Sequence, residues 1–142
     1  MKKLLLISAL TTINALACPD FTGRYETKLE MNIPAIQQIT QHGCESMNIT
    51  IYDELGTIKY YSYHWHLDGE GQTSPLGKQQ LLSGKLYDDV FHWTAKNEEQ
   101  NTMLEAWDSL LDNGDIERVL LEKLPSGQVI TRNSIIKKVS DM

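Results

Sequence analysis

The feature that most constrains this chain is a pair of alternating segments joined by a polar turn, within residues 44–67. Residues 47–52 alternate apolar and polar side chains, which is the period of a β-strand with one buried face. Residues 57–67 show the same alternation, with aromatic side chains in phase. The turn between them ends at Gly56, which tolerates the positive φ of a tight loop. The stretch therefore predicts a β-hairpin to which further strands are added.

Most of the remaining chain also predicts strands. The candidates are 21–29, 36–41, 79–82, 85–96, 116–124 and 128–139. Between them, residues 68–77 form the longest stretch rich in glycine, proline and polar residues, which predicts a mobile surface loop.

The segment 102–111 supports two interpretations. Thr102 followed by Glu105 is a capping box, and the apolar residues that follow lie at helical spacing, which predicts a short helix. The sequence Asp112-Asn113-Gly114-Asp115 is equally typical of a hairpin turn, which would join a strand at 102–111 to the strand beginning at Ile116. We favour the strand because the neighbouring segments are hairpins.

The first 17 residues have the pattern of a cleaved export signal. A basic start is followed by the apolar run 4–10 and by Ala15-Leu16-Ala17, a small-x-small motif. We expect residues 1–17 to be removed and residues 18–142 to form a single domain of 125 residues. The predicted location is therefore the periplasm or the extracellular space.

Export determines how the two cysteines are interpreted. Cys18 and Cys44 are the only pair, and in an oxidising compartment they are expected to form a disulfide. The alternative is a lipoprotein in which Cys18, the first mature residue, is acylated and anchors the chain to a membrane. The two fates exclude each other.

The charge of the mature chain argues against a nucleic-acid partner. It carries 11 basic and 19 acidic residues, a net charge of −8, with no basic stripe that would attract a polyanion.

Together these observations predict an all-β protein, either an antiparallel up-and-down barrel or a strongly curved meander of about eight strands. The sequence Thr22-Gly23-Arg24-Tyr25 resembles the Gly-x-Trp signature that opens the first strand of the lipocalin-like, or calycin, group of small secreted barrels, with Tyr25 in place of the tryptophan. The resemblance implies a barrel interior that holds a small apolar ligand, and a first strand, 21–29, lying beside the last, 128–139.

An aromatic set gives the candidate ligand site. Its members are Tyr61, Tyr63, Trp65, Phe91 and Trp93, with Trp107 as a further candidate. If these side chains converge, they line a pocket for an apolar or aromatic ligand, with tyrosine hydroxyls as polar contacts. The alternative is that the same side chains fill the core of a small β-domain.

Histidines suggest a weaker hypothesis. His64 and His66 lie two residues apart on a predicted strand, so both rings project from one face, and His92 could supply a third zinc ligand. The alternative is that these histidines occupy polar strand faces without a metal.

No sequence motif predicts catalysis. The chain has no nucleophile-elbow motif, no phosphate-binding glycine loop and no free-cysteine nucleophile pattern. We therefore expect a non-enzymatic exported protein without a cofactor, with a small apolar ligand as its partner. The alternative is a structural or protein-interaction module of the envelope, whose protein partner is unknown and whose working surface is the loop 68–77.

Overall fold

The computed structural model describes residues 18–74 and 80–142. The predicted export signal, residues 1–17, lies outside the described residues. Within the described ranges the chain forms eleven strands, one short 3₁₀ turn at Glu30–Asn32 and no α-helix. The strands are β1 (Gly23–Lys28), β2 (Pro34–His42), β3 (Ser46–Tyr52), β4 (Lys59–His66), β5 (Gln72–Thr73), β6 (Gln80–Tyr87), β7 (Val90–Asn97), β8 (Thr102–Leu110), β9 (Ile116–Lys123), β10 (Val129–Ile136) and β11 (Lys138–Ser140).

The strands form two antiparallel sheets. The first has the order β11-β1-β2-β3-β4 and the second β10-β9-β8-β7-β6-β5. Each sheet is a meander in which consecutive strands are neighbours, as the succession of hairpin signals predicts. The prediction of an all-β antiparallel fold is therefore confirmed, with eleven strands among the described residues rather than about eight.

The predicted closed barrel is wrong, because the two sheets do not join into one continuous ladder. On one side the last strand passes from the second sheet to the first around Lys137, and its final part, β11, pairs with β1, so the first and last strands are neighbours. On the other side β4 pairs with no strand of the second sheet within the described residues, and the residues after it reach β6 through an isolated bridge between Asp68 and Lys85 and through β5. There the side chain of Gln72 bonds β4 where a barrel would have a neighbouring strand: its Nε2 donates to the His64 carbonyl (2.6 Å), and its Oε1 accepts from the His66 amide (2.9 Å).

The segment 102–111 is a strand, which confirms the favoured interpretation over the helix. β8 pairs with β7 through residues 102–109 and with β9 through residues 103–110. A helix here would leave the backbone groups of both neighbours unpaired, so the sheet overrides the local helical signal.

Two further boundaries differ from the prediction. The segments 79–82 and 85–96 become β6 and β7, with the turn at Asp88-Asp89, where Asp88 takes a positive φ. The loop 68–77 is predicted to be mobile, but its described part is bonded to the sheet: Gly69 donates to the carbonyl of Gly84, and β5 pairs with β6.

The core lies between the sheets and excludes water from the inward faces of most strands. Its buried members are Phe21, Tyr25, Ala35, Ile39, Met47, Ile49, Ile51, Trp65, Leu67, Leu82, Phe91, Ala95 and Ile116. Trp65 packs edge-on against Phe91, with ring centroids 5.2 Å apart, and so joins β4 to β7 across the two sheets. Gly84 allows this approach, because a Cβ at that position would lie 2.7 Å from the Phe91 ring.

The residues before β1 are fixed to the fold by a disulfide and by one glutamine. Cys18 and Cys44 are bridged, so the sulfur of Cys18 is not available for a lipid. The Gln41 side chain donates to the carbonyl of Pro19 (2.7 Å) and accepts from the amide of Phe21 (2.9 Å). The bridge is the expected state of such a pair in an oxidising compartment, and it agrees with export.

Candidate functional site

A cavity of about 190 Å³ lies between the two sheets. The five aromatic residues of the predicted ligand site all line it: Tyr61, Tyr63, Trp65, Phe91 and Trp93. They meet because alternate residues of β4 and β7 face inward from opposite sheets. The remaining wall is partly aliphatic, from Ile39, Met47, Ile49, Ile51, Ile116 and Ile136, and partly polar, from Thr27, Lys28, Gln37, Asp108 and Arg118. Trp107, the sixth aromatic candidate, is not among the lining residues and lies against His92.

An ion pair lies in the wall of this cavity. Arg118 donates from Nε to Oδ1 of Asp108 (2.8 Å) and from Nη2 to Oδ2 (2.9 Å). Trp93 adds a third hydrogen bond from its Nε1 to Oδ2 of the same carboxylate (3.1 Å). The guanidinium also lies over the Trp93 ring, 5.1 Å from its centroid, which adds a cation–π contact. The Asp108 side chain is 5% exposed and that of Arg118 is 23% exposed, so the pair is shielded from water mainly on its acidic side.

Sequence reasoning did not identify this pair, although the sequence carries a signal for it. Asp108 and Arg118 lie opposite each other in the β8–β9 register, at equal distances from the centre of the turn at Asn113. Each is in phase with the apolar residues of its strand, where a charged side chain is unexpected. Opposite charges at equal offsets from a hairpin turn, both on the apolar face, predict an inward ion pair.

Burial raises the pKa of the tyrosines that line the cavity. Desolvation raises the pKa of Tyr63, and the neighbouring Tyr61 raises it further, while the positive charge of Arg118 opposes both effects. Desolvation also raises the pKa of Tyr61. Deeper in the core, burial raises the pKa of Tyr25 to about 12, with the carboxylates of Asp20, Asp141 and Asp115 acting in the same direction. The tyrosine hydroxyls are therefore neutral hydrogen-bonding groups.

Trp65 has a buried polar atom without a partner. Its Nε1 is the one buried side-chain nitrogen or oxygen among the described residues that makes no hydrogen bond. It lies against Gly84, where a Cβ would be 3.0 Å away. An unpaired buried donor of this kind typically destabilises a fold by about 1–3 kcal/mol, so its presence in the cavity wall is a feature that core packing alone does not explain.

A second depression, which we call the outer cleft, adjoins the cavity. It has a volume of about 880 Å³, and four of its lining residues also line the cavity: Thr27, Lys28, Arg118 and Ile136. We call these four residues the junction. The cleft is bounded by the start of β2, by the turn after β3 and by the end of β10, so the junction connects the cavity with the surface of the protein.

The structure does not bring the three candidate metal ligands together. His64 and His66 lie on the outer face of β4 with ring centroids 4.7 Å apart. His92 lies in the other sheet, on β7, where its Nε2 is 2.7 Å from Glu105 and its ring stacks on Trp107. Within residues 18–74 and 80–142, no group of three histidine, cysteine or acidic side chains has a metal-binding arrangement. The proposed zinc site is therefore not formed, because its members belong to different sheets.

Comparison of the sequence with known protein families and with curated proteins finds no match in either. Among the described residues, no helix is long and apolar enough to cross a membrane.

Proposed function

We propose that the protein is a non-enzymatic, exported binding protein that holds a small apolar ligand between its two sheets. The observation that carries the proposal is the convergence on one cavity of Tyr61, Tyr63, Trp65, Phe91 and Trp93, which come from strands of opposite sheets. Aromatic walls with a few polar groups are typical of small-molecule sites. The disulfide between Cys18 and Cys44 supports an exported location.

The size of the cavity supports a ligand of about one ring. A cavity of about 150 Å³ holds a benzene molecule, and this one has about 190 Å³. The junction gives such a ligand a way in from the outer cleft. A larger molecule would extend through the junction and leave part of itself in the cleft.

The test is a titration of the folded protein with toluene, followed by ¹⁵N–¹H correlation spectra. We expect saturable shifts for amides of β4 and β7. Ile136→Trp fills the junction and should abolish them, because Ile136 lines both cavity and cleft. Val129→Trp is the matched control, since Val129 is exposed and lines neither. Shifts that do not saturate, or that persist in Ile136→Trp, would contradict the proposal.

A second candidate is a protein-interaction module whose cavity is no more than an imperfectly filled core. Met31 and Leu55 favour it, because they are 92% and 83% exposed and lie in the β1–β2 and β3–β4 connections, at the same end of the first sheet. Replacing both with serine should abolish capture of an envelope partner while leaving toluene binding intact. The prediction that the loop 68–77 is the contact surface stays a prediction, since residues 75–79 lie outside the described ranges.

A further inference from the structure

The junction between cavity and cleft is the polar end of the candidate site. The cavity interior is mainly aromatic and aliphatic, with Gln37 and Asp108 among its polar members, whereas the junction carries two cationic side chains, Lys28 and Arg118. Both line the cavity and the cleft, so a ligand with its apolar part between the sheets has its other end beside these two charges. An amphipathic molecule matches this distribution better than a wholly apolar one.

Arg118 keeps hydrogen-bonding capacity after pairing with Asp108. Its Nε and Nη2 are bonded to the carboxylate, and Trp93 covers one face of the guanidinium. Its Nη1 makes no hydrogen bond within the described residues, so three of its five N–H donors, two on Nη1 and one on Nη2, are not used there. Since the Arg118 side chain is 23% exposed and lines both the cavity and the cleft, it can bind a group at the junction.

The charges at the junction leave an excess of one positive charge. Asp108 compensates Arg118, whereas Lys28 forms no ion pair within the described residues. Further out, the cleft adds Lys137 and two carboxylates, Glu26 and Glu54, so cavity and cleft together carry three cations and three anions, and the positive excess is confined to the junction. This local excess lies in a chain whose formal net charge is −6. A site with a positive charge in an acidic protein indicates selection of a monoanion rather than general attraction of anions.

We infer that the ligand is a small amphipathic carboxylate whose ring or short chain occupies the cavity and whose carboxylate lies at the junction. The carboxylate accepts from Nη1 of Arg118 and pairs with the ammonium of Lys28. The inference rests on the proposed function, and it adds the chemical class of the ligand. The tail is limited to about one ring by the cavity volume of about 190 Å³.

The test compares three probes that share a ring and differ in charge. Phenylacetate is the anion, phenylacetamide its neutral analogue and phenethylamine the cation, and each is titrated into the disulfide-bonded protein at pH 7.5 by calorimetry. We expect phenylacetate to bind at least tenfold more tightly than phenylacetamide, and phenethylamine to bind most weakly. Raising the salt concentration should narrow the difference, because exposed charges are screened.

Two lysine variants locate the effect. Lys28→Gln should weaken the binding of phenylacetate several-fold and leave the binding of phenylacetamide unchanged. Lys96→Gln is the matched control, because Lys96 is an exposed lysine that lines neither cavity nor cleft, and it should change neither probe. Both substitutions are at exposed positions, so folding is not at risk.

The failures are distinguishable. If phenylacetamide binds as tightly as phenylacetate, the carboxylate inference is overturned while the apolar site stands. If Lys28→Gln and Lys96→Gln weaken phenylacetate equally, the preference is a general charge effect and the inference is again overturned. If none of the three probes nor toluene binds, the proposed function fails as well.

Discussion

Replacing Asp108 or Arg118 singly should destabilise the fold far more than replacing both. Asp108→Leu removes the acceptor of three hydrogen bonds and leaves the guanidinium and the Trp93 N–H without it. Breaking a buried ion pair typically costs 3–5 kcal/mol. Because Arg118 retains 23% exposure, we expect the lower end of this range, about 3 kcal/mol. Arg118→Met leaves the carboxylate, 5% exposed, with only the Trp93 donor, and should cost at least as much.

The double variant Asp108→Leu/Arg118→Met removes both charges and leaves one unpaired donor, the Trp93 N–H. We expect its free energy of unfolding to fall by about 1–2 kcal/mol. This is well below the sum of the decreases expected for the two single variants, roughly 6 kcal/mol. Urea unfolding followed by circular dichroism gives the four free energies of unfolding, and the cycle gives the coupling energy.

A surface pair supplies the control for this cycle. Nη2 of Arg132 on β10 lies 3.5 Å from Oε1 of Glu122 on β9, and the two side chains are 64% and 31% exposed. Arg132→Met should change the free energy of unfolding by less than about 0.5 kcal/mol, as expected for an exposed pair. The reasoning is refuted if the double Asp108/Arg118 variant loses as much as the two single variants together, or if either single variant loses less than about 1 kcal/mol.

Three further perturbations test the core and its closure. The pKa of Tyr25 is about 12 in the fold against an ordinary value of 10.0, so the unfolded chain loses this proton first. Below pH 10 this difference in pKa does not lower the free energy of unfolding. Between pH 10 and 12 the free energy of unfolding should fall by roughly 2–3 kcal/mol, at about 1.4 kcal/mol per pH unit. Tyr25→Phe should remove this part of the fall when urea unfolding is measured across the same pH range. Gly84→Ala introduces a Cβ into the ring contact and should cost about 1–3 kcal/mol in the same assay, whereas Gly71→Ala, whose Cβ would meet nothing closer than 4.0 Å, should be nearly neutral. The disulfide joins residues 26 positions apart, so its removal in Cys18→Ala/Cys44→Ala should lower the free energy of unfolding by about 3.5 kcal/mol through loop-closure entropy. At an m-value of about 2 kcal/mol/M, the urea midpoint should fall by about 1.8 M.

Each of these three predictions has a result that would contradict it. An unchanged alkaline slope in Tyr25→Phe would mean that other groups, such as Tyr61 and Tyr63, account for the whole effect. Equal stability of Gly84→Ala and Gly71→Ala would mean that the sheets can separate to admit a methyl group. A midpoint shift below about 0.5 M on removal of the disulfide would show that the bridge restricts the unfolded chain much less than its loop length implies.

The sequence located most strands because alternation is a local property. A strand with one buried face must repeat every two residues, and the segment 57–67 shows this repeat clearly enough to place Tyr61, Tyr63 and Trp65 on the face that becomes the cavity wall. The same local property failed at 85–96, because the aromatic alternation of Tyr87, Phe91 and Trp93 continues across Asp88-Asp89, although aspartate is a common turn residue and Asp88 takes a positive φ.

Other features depended on partners that are distant in sequence. Whether 102–111 is a helix or a strand was decided by hydrogen bonds to β7 and β9, which local propensity does not include. The separation of His92 from His64 and His66 depended on which sheet each strand joined.

By itself, the sequence determined that the chain is an antiparallel β-protein, that Tyr61, Tyr63 and Trp65 share one strand face and Phe91 and Trp93 another, and that Cys18 and Cys44 are a candidate bridge. Only the tertiary structure decided that the sheets remain two rather than one barrel, and that Arg118 and Lys28 meet at the entrance to the cavity. The physical reason is the sequence distance over which each kind of interaction acts. Alternation and turn chemistry act over a few residues, whereas closure and cavity lining depend on how strands far apart in the chain pack together.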